Sequence, residues 1–322
     1  MRAITLQGSE LQYRDDLPEP TPAASEVIVK VVQAGICETD LQLARGYMGF
    51  SGVLGHEFVG VASSGTFAGK RVVGEINCNC RSCPRCQSGL GNHCGNRTVI
   101  GIDRHDGAFA QRLAVPEHNL HEIPDSVSDD EAVFVEPLAA ALQIGQQVNL
   151  QASDRVAILG DGRLAYLCSQ AIKCDSPELT VVSKHREKAA RFESRGIKTV
   201  QREEIGRPQS FDTVVDCTGS ESGLPLALQL IRPRGTIIMK TTIASKHHLS
   251  LAEIVIDEIT LVGSRCGPFG KAIQALQDKS VDVSNLITHR YMLDSVHDAM
   301  KSAVSPKAFK VVFDINSVPK GG

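Results

Sequence analysis

Cys80, Cys83, Cys86 and Cys94 follow the spacing C-x2-C-x2-C-x7-C. Thiolates this close along a chain can close a tetrahedral shell around zinc, with bonds of about 2.3 Å. Four sulphurs leave no position for a substrate, so an ion held there is structural. The loop around them is rich in Gly, Arg, Ser and Asn, so metal rather than an apolar core must hold it. The plain alternative, surface thiols without metal, is disfavoured by four cysteines at this spacing. Cys78 reads as a bystander, and Cys168, Cys174, Cys217 and Cys266 as small buried residues.

A second set of possible ligands is dispersed. Cys37 ends Ala34-Gly35-Ile36-Cys37, His56 and Glu57 sit in Gly55-His56-Glu57, and Glu136 heads Glu136-Pro137-Leu138. Each alone is weak, because a lone cysteine is more often core than ligand. Together they offer a mixed, incomplete shell, the kind a catalytic zinc needs to keep a position for water or a substrate oxygen. Thr39, two residues past Cys37, is placed to take a hydroxyl proton. Asp40 would accept a hydrogen bond from the remote nitrogen of His56 and so set its tautomer; its plain alternative is a helix cap.

A third signal is the turn Gly160-Asp161-Gly162-Arg163-Leu164-Ala165 after the apolar run Val156-Ala157-Ile158-Leu159. A G-x-G-x-x-A turn between strand and helix lets backbone approach a pyrophosphate where free amides and the helix dipole favour anions. Gly160, Gly162, Arg163 and Leu164 are its candidate contacts. An ordinary glycine turn is the alternative, made less plausible by a βαβ series downstream. About twenty residues on, an acid would bind the ribose of NAD, yet the chain reads Val182-Ser183-Lys184-His185-Arg186. Ser183, Lys184 and Arg186 could bond a 2′-phosphate instead, so the sequence favours NADP(H) over NAD(H). A solvated basic helix start is the competing reading.

The elements that position these residues fall into two styles. The first hundred residues are β-like, with runs such as Val27–Val32 and Phe58–Val61 between Gly, Pro and Ser clusters, which suggests a barrel, and the rhythm changes from about Asp129. From Glu131 to Val148 apolar residues recur at helical spacing. Strands are then expected at Arg155–Leu159, Leu179–Ser183, Thr213–Asp216, Thr236–Lys240 and Ile259–Val262, alternating with helices as in a doubly wound parallel sheet. A helix over Leu293–Ala303 and a strand over Phe309–Ile315 could return to the first domain.

With 322 residues, two domains are expected. The formal net charge of -3 and the lack of a basic run argue against nucleic acid. No apolar run reaches the roughly 18 to 20 residues of a membrane helix, and no export signal is seen at the start. Ten cysteines, four of them grouped, then fit metal binding in the cytoplasm rather than a disulfide framework.

Gly35-Ile36-Cys37-x-Thr39-Asp40, Gly55-His56-Glu57, the four-cysteine loop and Glu136-Pro137-Leu138 together resemble the zinc-containing medium-chain dehydrogenases, over nearly the whole chain. Glu-Pro-Leu is similar to the polyol, glucose and threonine dehydrogenase branches; alcohol dehydrogenases proper have cysteine there. The resemblance implies a GroES-like β-barrel catalytic domain over 1–130, completed by 275–322. It also implies a Rossmann dinucleotide domain over 131–274, with the active site in the cleft. It implies Cys37 and His56 as zinc ligands, with Glu57 and Glu136 binding directly or through water, and Thr39 as the start of a proton relay. Alcohol dehydrogenases often end that relay in histidine where this chain has Gln42, whose amide does not titrate. By resemblance alone, Cys217, Thr218 and Gly219 pass beside the cofactor ribose, and Arg265 and Lys310 contact the nicotinamide side or the pyrophosphate. The expected cofactors are one catalytic zinc, one structural zinc and NADP(H) or NAD(H). The expected partner is an alcohol or ketone of low mass, in a homodimer or homotetramer. A zinc-free quinone or enoyl reductase would leave Cys37, His56 and Glu136 without purpose. Intact Cys37, Thr39, His56 and Glu136 likewise argue against a non-enzymatic cofactor-binding protein on the same fold.

Overall fold

The computed structural model describes residues 1–173, 178–206, 209–242 and 251–316; Cys174 lies outside them. The chain divides into two compact units. The first runs from Met1 to Glu136 and takes back Ala272–Lys279 and the chain from Val283 onward; the second comprises Pro137–Lys271 and Ser280–Asp282.

The first unit is organised around the strand Glu26–Gly35, whose alternation buries Val27, Val29 and Val31 and leaves Lys30 exposed. Its first half pairs antiparallel with Arg112–Pro116. Its second half lies between two antiparallel neighbours, Glu57–Ala62 and Lys310–Asp314. Gly35 is therefore opposite Glu57 on one side and Val312 on the other. This register brings the residues just past Gly35, the start of the Glu57 strand and Lys310 to the same end of the sheet. The core beneath includes Ile4, Leu6, Leu43, Phe58, Phe109 and Phe313, with Phe109 and Phe313 edge to face at 4.9 Å.

The second unit carries six parallel strands in the spatial order Lys198–Gln201, Glu178–Ser183, Arg155–Leu159, Phe211–Asp216, Ile231–Met239, Thr260–Gly263. In chain order this is 3-2-1-4-5-6, a doubly wound sheet whose direction of progression reverses beside Arg155–Leu159. The helices Arg163–Lys173, Arg186–Glu193 and Gly223–Leu230 fill the crossovers. Lys198–Gln201, the sixth strand, escapes a sequence reading because it is a short, half-buried edge with only one strongly apolar residue. The helical run expected from Glu131 to Val148 is three pieces: Asp129–Ala132, Val135–Leu142 and Ile144–Gln147. Pro137 has no amide to give and is tolerated only in a first turn, so the helix restarts at Val135 and Glu136 lies in that turn. Among the described residues no helix is long and apolar enough to cross a membrane.

Candidate functional site

Cys37, His56 and Glu57 offer one sulphur, one nitrogen and one oxygen ligand atom, all within 4.8 Å of one another. Cys37 is the residue before the helix Glu38–Ala44, and its N–H donates to Asp40 Oδ2 at 2.8 Å. Asp40 Oδ1 lies 3.3 Å from His56 Nδ1, close but without the alignment of a regular hydrogen bond, since both atoms are otherwise unpartnered. The two readings of Asp40 thus coexist, because one oxygen caps the helix and the other faces the imidazole. Burial disfavours a charged His56, but the Asp40 and Cys37 charges outweigh it and hold the ring well above its usual pKa. Such a field favours a cation in the pocket, whether proton or metal.

Glu57 is fully buried and forms an ion pair with Lys310, itself fully buried. Apart from that pair neither Glu57 oxygen has a hydrogen-bond partner. A buried carboxylate whose Oε1 has no partner, beside a thiol and an imidazole, fits a divalent metal ion. Burial pushes the Lys310 ammonium down to about 8, while Cys37 and Asp40 pull it back. Its neighbours are Ile36 O at 3.4 Å and the Phe134 ring at 5.7 Å. Lys310 therefore belongs beneath the ligand group and gives no open charge to a pyrophosphate, which corrects the role the resemblance implied. Gly35 makes this possible, since a Cβ there would stand 2.5 Å from Lys310 Cε and 2.7 Å from Glu57 Oε2. Gly55, at φ +95°, turns the chain into His56 against the Phe109 ring.

Thr39 Oγ1 is 3.8 Å from Cys37 Sγ and half-buried. Glu136 is half-buried and stands outside the three-residue ligand group. Gln42 is turned away, donating to Glu38 Oε1 at 2.9 Å. Tyr47 and Phe50 pack into the barrel core and Met48 is exposed.

Cys80, Cys83, Cys86 and Cys94 converge. Sulphur separations are 3.5 Å for Cys83–Cys86 and Cys80–Cys94, 3.8 Å for Cys83–Cys94 and 4.0 Å for Cys80–Cys86. A tetrahedron of sulphurs on zinc has edges of about 3.8 Å, so the thiols already stand at coordination distances. Cys78 is outside the group, buried beside Asn119, with burial pushing its thiol up to about 12.

In the second unit Gly160 has φ +113°, and a Cβ on it would stand 2.9 Å from the Cys217 carbonyl. Gly162 is open on its Cβ side, and Arg163 and Leu164 begin the following helix half-buried. Across the reversal point, Asp216 Oδ1 accepts from the Thr218 amide and hydroxyl, at 2.9 and 2.7 Å, and shapes Cys217–Gly219. Cys217 Sγ is 3.8 Å from Cys168 Sγ, and Arg265 and Cys266 lie just past the strand Thr260–Gly263, Arg265 exposed. The turn after the strand Glu178–Ser183 differs from expectation. Ser183 is fully buried and its hydroxyl donates to Asp161 Oδ2 at 3.0 Å, so it is not presented to a phosphate. Lys184 and Arg186 are exposed, Arg186 paired with Glu204. Asp161 and His185 were not among the sequence candidates, and the available signal was the acid between the two glycines of the turn.

Residues 23–125 match the family described as "Alcohol dehydrogenase GroES-like domain". A sorbitol dehydrogenase of Halalkalibacterium halodurans is 27% identical over 92% of this chain and 93% of its own. An L-threonine 3-dehydrogenase of Chelativorans sp. is 28% identical over 97% of each. Among solved structures, a zinc-binding dehydrogenase from Sinorhizobium meliloti 1021 bound to NADP superposes with TM-score 0.87, at 27% identity over 97% of this chain and 98% of that one. An alcohol dehydrogenase from E. coli CFT073 complexed with NADH gives TM-score 0.87, at 25% identity over 98% and 99%. The chain therefore carries an alcohol dehydrogenase GroES-like domain over residues 23–125, and from end to end it is similar to zinc-binding dehydrogenases.

Proposed function

We propose that the protein moves hydride between a secondary alcohol or polyol, or the matching ketone, and NADP(H). The observation that carries this reading is the Cys37–His56–Glu57 group, three chemically different donors rather than a closed set of four. When bound, zinc would polarise the substrate oxygen and the nicotinamide would take or give the hydride. Cys37, His56 and Glu57 would hold the ion, with Glu136 as a further carboxylate for it or for the substrate. Thr39 supplies a hydroxyl to take the substrate proton, and Asp40 orients His56. The thiolates of Cys80, Cys83, Cys86 and Cys94 would hold the structural zinc. Because Phe50 and Tyr47 pack into the core rather than forming an apolar wall, and Glu136 replaces a thiol, the polyol branch is favoured. On the cofactor side, Gly160 lets the turn pass against the Cys217 carbonyl, Gly162 leaves open space for the pyrophosphate, and exposed Lys184 and Arg186 favour the 2′-phosphate. In this reading the first unit is the catalytic domain and the second the dinucleotide domain.

A panel of secondary alcohols and polyols assayed with NADP⁺ and NAD⁺ tests this. Turnover of at least one polyol class is expected, faster with NADP⁺, and abolished by a chelator strong enough to strip both zinc ions. Tight dinucleotide binding with no turnover anywhere on the panel would turn the reading toward a binding protein.

We also propose a homodimer, with homotetramers as its multiple. The strand Thr260–Gly263 is the outer strand of its sheet, and Leu261, Val255 and Ile256 beside it are exposed. Light scattering should give at least twice the chain mass of 34.6 kDa, and Leu261→Lys should lower it. A monomer at micromolar concentration would count against this.

A further inference from the structure

The turn after the strand Glu178–Ser183 is built around one carboxylate that comes from elsewhere. Asp161, from the glycine turn, has a side chain only 8% exposed. Its Oδ2 accepts the Ser183 hydroxyl at 3.0 Å and the amides of Lys184 and His185 at 2.8 Å each. His185 Nδ1 stands 3.0 and 3.1 Å from the two oxygens, and Lys188 Nζ is 3.8 Å from Oδ1. Burial alone would raise the Asp161 pKa, but these hydrogen bonds, His185 first, outweigh it and hold the group ionised.

Three consequences follow for a ligand at this turn. The Ser183 hydroxyl and the amides of Lys184 and His185 are already donating, so backbone and serine are not left to cradle a phosphate. The acid that the end of the strand lacks is present, but it faces inward to a histidine rather than outward to a ribose. Finally, the His185 ring is 31% exposed and has Nδ1 engaged, which leaves Nε2 as its remaining hydrogen-bonding atom. Neutral, with Nδ1–H on Asp161, that nitrogen can accept from a ribose hydroxyl. Protonated, it donates to a phosphate oxygen with the carboxylate behind it.

We infer that His185 reads the 2′ position of the dinucleotide's adenosine ribose and that Asp161 is the positioning residue that holds it there. This rests on the dinucleotide reading above and adds to it a selector other than the exposed Lys184 and Arg186. Because a buried carboxylate fixes the ring, its reach is set by the fold, whereas Lys184 is exposed and Arg186 is held only by the exposed Glu204.

The test is fluorescence titration of the full chain with NADPH and with NADH, for the wild type, His185→Ala, Asp161→Asn and the double variant. The quantity read is the ratio of the two dissociation constants. His185→Ala is expected to shift the ratio roughly tenfold toward NADH, because NADPH loses a charge-assisted hydrogen bond while NADH loses only a neutral one, worth about a few-fold. Asp161→Asn should shift it in the same direction, and the double variant no further than His185→Ala, since the carboxylate acts through the ring. A purely structural Asp161 would weaken both cofactors in parallel and leave the ratio unmoved, which overturns its assignment. An unmoved ratio in His185→Ala overturns the inference outright, and that variant leaves the buried carboxylate and its backbone bonds in place. The wild-type ratio separately tests the NADP(H) preference: should NADH bind as tightly as NADPH, that preference fails, while a shift in the variants would still establish the selector.

Discussion

Protein carrying Cys37→Ala should hold about one zinc per chain where the parent holds about two, and should lose more than about a hundredfold in turnover. The estimate is a lower bound, because partners that merely hydrogen-bond to a metal's ligands are worth about 10- to 100-fold. The thiol is the soft donor of its group, and alanine leaves His56 and Glu57 too few to hold the ion against water. The four thiols of the cysteine loop form a separate group, so their ion should stay. Elemental analysis of both proteins, purified identically without chelator, checks this. Two zinc ions in each would show that Cys37 is not a ligand. One in each would mean that only the cysteine loop binds metal, and a zinc-free reduction or a binding role would replace the dehydrogenase reading.

Lys310→Met should lower the free energy of unfolding by about 3–5 kcal/mol, the usual range when one partner of a buried ion pair is removed. Both charges are fully buried, and with Lys310 gone Glu57 has no remaining partner among the described residues. Methionine keeps most of the volume over Phe134, so the loss comes from charge rather than from a cavity. Urea midpoints of the single variants and of Glu57→Gln/Lys310→Met measure the coupling, and the double variant should regain most of what Lys310→Met loses. If Lys310→Met unfolds at the parent's midpoint in metal-stripped protein, the lysine is not what compensates Glu57. If the deficit is present in stripped protein and vanishes on adding zinc, the ion and the ammonium share the task.

Both predictions concern residues whose types were readable long before their relations were. The cysteine loop was legible because its ligands lie within one short segment, where local turns alone decide the distances. The same holds for Gly160-Asp161-Gly162, since the end of one strand and the start of one helix define that turn. Five of the six parallel strands were legible from apolar runs, and the sixth was not, because a short edge strand needs little apolar character.

Sequence by itself determined the chemical inventory: four thiolates in one loop, a dispersed thiol, imidazole and carboxylates, and a glycine turn without an acid at the next strand's end. Tertiary structure decided which of these meet. Glu57 rather than Glu136 joins Cys37 and His56, and Lys310 comes from the far end of the chain to lie beneath them, because Gly35 is in register with both Glu57 and Val312. Asp161 supplies the turn after Glu178–Ser183 with the acid that its own strand lacks, because parallel pairing sets the ends of Arg155–Leu159 and Glu178–Ser183 side by side. Pairing register couples residues with no relation along the chain, so no spacing rule could have announced these contacts.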